Sequence, residues 1–146
     1  MAQKSAGLLM YRFNQGELEV LLVHPGGPFW SKKDRGAWSL PKGLYEDEDP
    51  LEAARREFRE ETGYTAHGRF IALGSQKQSS GKVISAWALE GDCDADAIES
   101  NMFALQWPPG SGKYQDFPEA DRAGWFSIET AREKLVKGQL GFIDAL

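Results

Sequence analysis

Short apolar runs and polar breaks alternate along this chain, and each pattern predicts an element. Residues 8–13 (LLMYRF) and 17–24 (ELEVLLVH) are rich in Leu, Val and aromatics, with Asn14-Gln15-Gly16 between them. Such a pair of runs around turn residues predicts a β-hairpin. Pro25-Gly26-Gly27-Pro28 then breaks the chain. Residues 38–40 predict a short extended piece, and strands are expected near 70–73 and 83–89. Residues 103–107 and 114–117 flank Pro108-Pro109-Gly110-Ser111-Gly112-Lys113 and predict the arms of a second hairpin. A last strand near 124–127 leads into a helix from about 128 to 136, and residues 142–146 predict a short helical tail.

The strongest helical signal lies in the stretch 43–64, GLYEDEDPLEAARREFREETGY. Asp49 is a good N-cap and Pro50 fits the first helical position, where a missing N–H costs nothing. Glu52 stands three residues after Asp49, as in a capping box. Gly63 is placed to end the helix in a left-handed conformation. Leu51, Ala54 and Phe58 share one stripe, the expected core face. Glu57, Glu60 and Glu61 follow at i, i+3 and i+4, on one side of the helix. Glu57 and Glu61 lie beside the apolar stripe, and Glu60 lies further round.

Three like charges so placed repel by roughly 0.2–0.5 kcal/mol per pair. Two readings of them stand. One is a solvated face laced with i,i+4 pairs such as Glu52–Arg56 and Arg56–Glu60. The other is a hard divalent cation held between the carboxylates, for which Mg²⁺ is the natural candidate.

The complete string resembles the box of the Nudix hydrolase family. That pattern runs Gly, five residues, Glu, seven residues, then Arg-Glu-aliphatic-x-Glu-Glu-x-Gly-aliphatic. Glu48 and the block from Arg56 to Tyr64 match it. Only four residues separate Gly43 from Glu48, one short of the pattern, and Phe58 and Tyr64 stand where aliphatics are usual. The resemblance implies a three-layer α/β/α sandwich with a mixed sheet, a single Nudix domain over residues 1–146, and hydrolysis of a nucleoside diphosphate linked to another group. It implies Glu57, Glu60 and Glu61 as ligands of Mg²⁺, with Mn²⁺ as the alternative, and a backbone carbonyl at Lys42 or Gly43 as a further ligand. Glu57 would double as general base, unless the base lies outside the box, where Glu119 is the candidate. Arg56 would orient the carboxylates, and Glu48 would fix the loop.

Trp38-Ser39-Leu40-Pro41-Lys42-Gly43 also resembles dinucleoside polyphosphate hydrolases of this family, and some diphosphoinositol polyphosphate hydrolases. Lys42 there is a candidate phosphate contact. Dinucleoside polyphosphates such as diadenosine tetraphosphate are therefore the favoured substrates. The alternatives are nucleoside triphosphates, oxidised ones included, ADP-sugars, diphosphoinositol polyphosphates, or nucleotide sensing without turnover. Phe29, Trp30, Trp107 and Tyr114 lie in turn-rich regions and are candidate base platforms, with Trp30 and Tyr114 favoured. Lys32, Lys33 and Arg35 form a nearby cationic loop. His24 is a strand-end histidine whose partner the sequence does not identify. Gly110-Ser111-Gly112-Lys113 is not a phosphate-binding Walker loop, because Trp107 and Tyr114 stand where that motif needs Gly and Ser or Thr.

Composition narrows the partners. A net charge of −5 argues against binding nucleic-acid polymers or anionic membranes. A small polyphosphate remains suitable, because a bound cation reverses the local field. No segment is long enough to span a bilayer and no signal peptide is evident. The single Cys93 forms no internal disulfide and suits the reducing cytoplasm.

Overall fold

The computed structural model describes residues 3–146. Strands β1 (Lys4–Asn14) and β2 (Glu17–Pro25) form the first hairpin. They are followed by β3 (Lys42–Tyr45), helix α1 (Pro50–Thr62), β4 (Phe70–Lys77) and β5 (Val83–Glu90). A second hairpin, β6 (Met102–Gln106) and β7 (Tyr114–Pro118), precedes β8 (Ala120–Ser127), α2 (Ile128–Lys134) and α3 (Leu140–Ala145). The main sheet runs β4-β5-β1-β2-β8, with β3 also paired to β1. It is mixed, because β1 and β5 run parallel while the other neighbours are antiparallel. The β6–β7 hairpin forms a separate two-stranded sheet.

Both faces of the sheet are covered, so its inner strands read as continuous apolar runs. On one face Ala6, Leu8, Met10 and Leu21 pack with Ala53, Ala54 and Phe58 of α1. On the other, Leu9, Val20 and Leu22 pack with Ala131, Leu135, Phe142 and Ile143. The period-2 alternation of strand side chains assigns consecutive residues to opposite layers. This is the expected three-layer arrangement.

β1 and β2 pair only at their turn end, from Tyr11↔Val20 to Asn14↔Glu17. Beyond it they splay, and residues 38–41 fill the fork. Ser39 exchanges two backbone bonds with Val23 of β2 (2.8 and 3.0 Å), and Leu8 N–H of β1 donates to Pro41 C=O (3.1 Å). Gly7 is required at this crossing, since a Cβ there would lie 2.2 Å from Leu40 Cδ1. The extended piece expected at 38–40 is thus a strap with isolated bridges, and the regular ladder begins only at Lys42. β1 starts at Lys4, four residues before the apolar run, because Lys4–Gly7 is flanked by β5 and β3. Helix α2 ends at Lys134, two residues short of the expected end. No helix among the described residues is long and apolar enough to cross a membrane.

Candidate active site

Helix α1 is built as its sequence dictates. The Asp49 side chain accepts from Glu52 N–H (3.2 Å), Pro50 opens the helix, and Gly63 closes it at φ 83° with its N–H donating to Arg59 C=O. The Glu52 side chain pairs with Arg55 at 3.2 Å. Arg56 organises the acids instead. Its Nε and Nη2 grip Glu48 (2.9 and 2.6 Å). Its Nη1 donates to Glu57 (2.8 Å) and Glu60 (3.2 Å). The guanidinium holds the Glu48 carboxyl below its usual range. Glu57 moves the other way: burial pushes it up, and Glu60 and Glu119 add to this, against the pull of Arg56.

Glu61 turns towards β3, where its Oε2 accepts Lys42 N–H at 2.9 Å. Burial pushes this carboxyl up to about 8, opposed by that bond and by the Lys42 charge. Burial lowers the Lys42 ammonium, with Glu61 resisting and Lys82 adding to the fall. Gly43 meets the carboxylate of Glu57 directly, because a Cβ there would lie 2.0 Å from Glu57 Cδ. Only glycine lets the backbone come this close.

Glu119, between β7 and β8, is delivered to the same place by backbone bonds. Asn101 N–H donates to Glu60 C=O (2.7 Å), and Glu99 N–H to Thr62 C=O (2.9 Å), so residues 99–101 run along the end of α1. Glu119 N–H then donates to Asn101 C=O (2.8 Å), and Gly26 N–H donates to Glu119 C=O (3.0 Å). Burial raises the Glu119 carboxyl, and Glu60 raises it further against Arg56. Glu57, Glu60 and Glu119 each place a carboxylate oxygen within 4.8 Å of the others. Three hard oxygen donors at that spacing fit a divalent cation such as Mg²⁺. Glu61, engaged with Lys42 N–H, stands beside this trio rather than within it.

A cleft of about 400 Å³ opens beside Lys42. Trp30, Lys42 and Lys82 line it, together with Gln78, Ser79 and Ser80 of the β4–β5 turn and Gln139 after α2. The turn and Gln139 gave no signal in the sequence, since isolated polar residues in connections have no periodicity to read. Gln139 is buried; its Oε1 accepts Leu40 N–H (3.0 Å) and its Nε2 donates to Ser39 Oγ (2.9 Å), securing the strap. Trp30 is therefore brought to the cleft. Tyr114 is not among its lining residues and stands 69% exposed at the start of β7. Lys32, Lys33 and Arg35 do not line it either; the Lys33 ammonium lies 5.1 Å over the Trp30 ring. Phe29 meets Trp107 edge-on at 5.4 Å, joining the loop after β2 to the second hairpin. Residues 108–113 form the hairpin tip, as expected, with Trp107 N–H bonded to Lys113 C=O.

Known proteins agree with this architecture. The NUDIX domain of Shewanella oneidensis NrtR, complexed with ADP ribose, superposes with a TM-score of 0.68 at 15% identity, covering 99% of this chain and 86% of that one. A C. elegans Ap4A hydrolase in a binary complex gives 0.64 at 22% identity, covering 99% and 94%. The MutT protein of Methanosarcina mazei Go1 gives 0.60 at 23% identity, covering 98% and 91%. A search of curated proteins returns no match. The profile of the NUDIX domain matches residues 1–146, and the chain belongs to the NUDIX family of phosphoanhydride hydrolases.

Proposed function

We propose that this chain is a Mg²⁺-dependent pyrophosphohydrolase of dinucleoside polyphosphates such as diadenosine tetraphosphate. One observation carries the reading: the carboxylates of Glu57, Glu60 and Glu119 converge beside a cleft lined by Lys42, Lys82 and Trp30. Lysines facing one cleft suit a chain of phosphates, and an indole beside them suits a base. The fold likeness to the Ap4A hydrolase is compatible with that choice.

Glu57, Glu60 and Glu119 would hold the cation, with Glu61 and the Gly43 carbonyl beside them. Mg²⁺ or Mn²⁺ bound there supplies charge neutralisation for phosphate oxygens and makes water more acidic. Glu57 or Glu119 accepts the proton of the attacking water; both are raised from the ordinary carboxylate value by burial and by the charge of Glu60, which makes each a stronger base. Arg56 and Glu48 fix the directions of the acids. Lys42 contacts phosphate in the cleft. We assign the protein to the cytoplasm, where the lone Cys93 thiol stays reduced.

The test is product analysis after incubation with Mg²⁺ and a substrate panel. The panel holds diadenosine tetraphosphate, deoxynucleoside triphosphates, ADP-ribose, NADH and a diphosphoinositol phosphate. ATP plus AMP from diadenosine tetraphosphate is the expected result, and Lys42→Ala is expected to weaken binding of long polyphosphates more than of short ones. Turnover of another member only would replace the substrate. Nucleotide binding without turnover under any metal would replace the enzyme with a sensor.

A further inference from the structure

A buried bridge behind the cleft loop has no part in the chemistry above. His24, near the end of β2, is fully buried. Its Nδ1 lies 2.9 Å from Asp121 Oδ1 on β8. Its Nε2 lies 2.5 Å from the carbonyl oxygen of Lys33, in the loop that also carries Trp30. A carbonyl has no proton to donate, so Nε2 donates to Lys33 C=O, while Nδ1 shares a hydrogen bond with the Asp121 carboxyl. Both ring nitrogens are thus engaged at once, one with the loop and one with β8.

The surroundings accommodate that ring. Asp121 faces it, with the Arg122 guanidinium 3.7 Å from Asp121 and 5.4 Å over the Trp38 ring. Trp38 packs edge-on at 5.2 Å. Asp34, next in the loop, accepts from the Trp38 indole at 2.8 Å and is paired with Lys134 of α2. The Lys33 ammonium lies over Trp30. The loop is therefore pinned to the β8 side twice, by Gly26 N–H on Glu119 C=O and by Lys33 C=O on His24.

We propose that His24 is a positioning residue whose two ring nitrogens tie the loop carrying Trp30 to the strand following Glu119. The bridge stands by itself; its effect on substrate rests on the hydrolase reading above.

The chain has two histidines, so His67→Gln leaves one imidazole to observe. Nitrogen-15 NMR of that variant is expected to show both His24 ring nitrogens engaged in hydrogen bonds. A ring with one nitrogen free of any hydrogen bond would overturn the proposal. In steady-state kinetics, His24→Asn and Asp121→Asn are each expected to raise KM for the cleaved polyphosphate about tenfold while kcat stays within about twofold. An unchanged KM in both folded variants would overturn the positioning role. The NMR measurement needs neither turnover nor a core substitution. It therefore decides the bridge even if no phosphoanhydride is cleaved or a variant fails to fold.

Discussion

Two regions deliver carboxylates to one point, and they do so by opposite means. Glu57 and Glu60 come from a single capped helix, so their relation is set by 3.6 residues per turn and an Arg56 bridge. Glu119 comes from a connection between strands, and reaches the site through a relay from α1 to Asn101, to Glu119, and on to Gly26. The first arrangement is local and rigid. The second depends on segments far apart in sequence, and its position follows that of the loop after β2. A helix-borne acid should therefore be hard to dispense with, and a loop-borne one open to tuning.

The largest expected effect breaks the helix side. Glu60→Gln keeps the shape but weakens the charge of the trio, and kcat is expected to fall roughly a hundredfold or more while circular dichroism stays unchanged. Activity surviving at near full level would sink the metal assignment. Glu119→Gln is expected to cost less, about 10- to 100-fold, and to remove the acid-side limb of the pH–rate profile if this group takes the proton. A reduced rate with the limb intact would assign the proton to Glu57.

The smallest effect concerns stability and sharpens the contrast with Glu61. In chelated protein burial pushes its carboxyl up to about 8, from an ordinary 4.5. Between those values the folded state keeps a proton that the unfolded chain has lost. Stability is then complete below about 4.5 and declines as pH rises towards 8, by on the order of a few kcal/mol before solvent screening. Thermal melts of chelated protein should fall across this window and flatten in Glu61→Gln. Equal slopes in the two proteins would refute the burial of that charge.

The helix was legible residue by residue, because capping, proline placement and apolar spacing are local. Asp49, Pro50 and Gly63 act as their positions predict, and Ala54 and Phe58 are buried. Glu119 was legible only as an acid in a connection; the relay that places it consists of backbone bonds, which side-chain identity does not encode. The cleft was half legible. Lys42 and Trp30 are conspicuous residues near the box, whereas Gln78, Ser79, Ser80, Lys82 and Gln139 meet only when the β4–β5 turn docks on the segment after α2. Tyr114 shows the converse, an aromatic in a turn-rich region that stays out of the cleft. The ladder at Lys42, rather than at 38–40, reflects the splay of β1 from β2, which no single segment records.

That splay also bears on the order of events during synthesis. The strap in the fork is secured by Gln139, which lies 99 residues after Leu40. A ribosome makes the box helix and all its acids long before it makes that amide. A growing chain can hold its carboxylates in register, yet Lys42 and Gly43 wait for an anchor still untranslated. Competence should therefore arrive late and abruptly, once residue 139 has left the exit tunnel and closed the long loop.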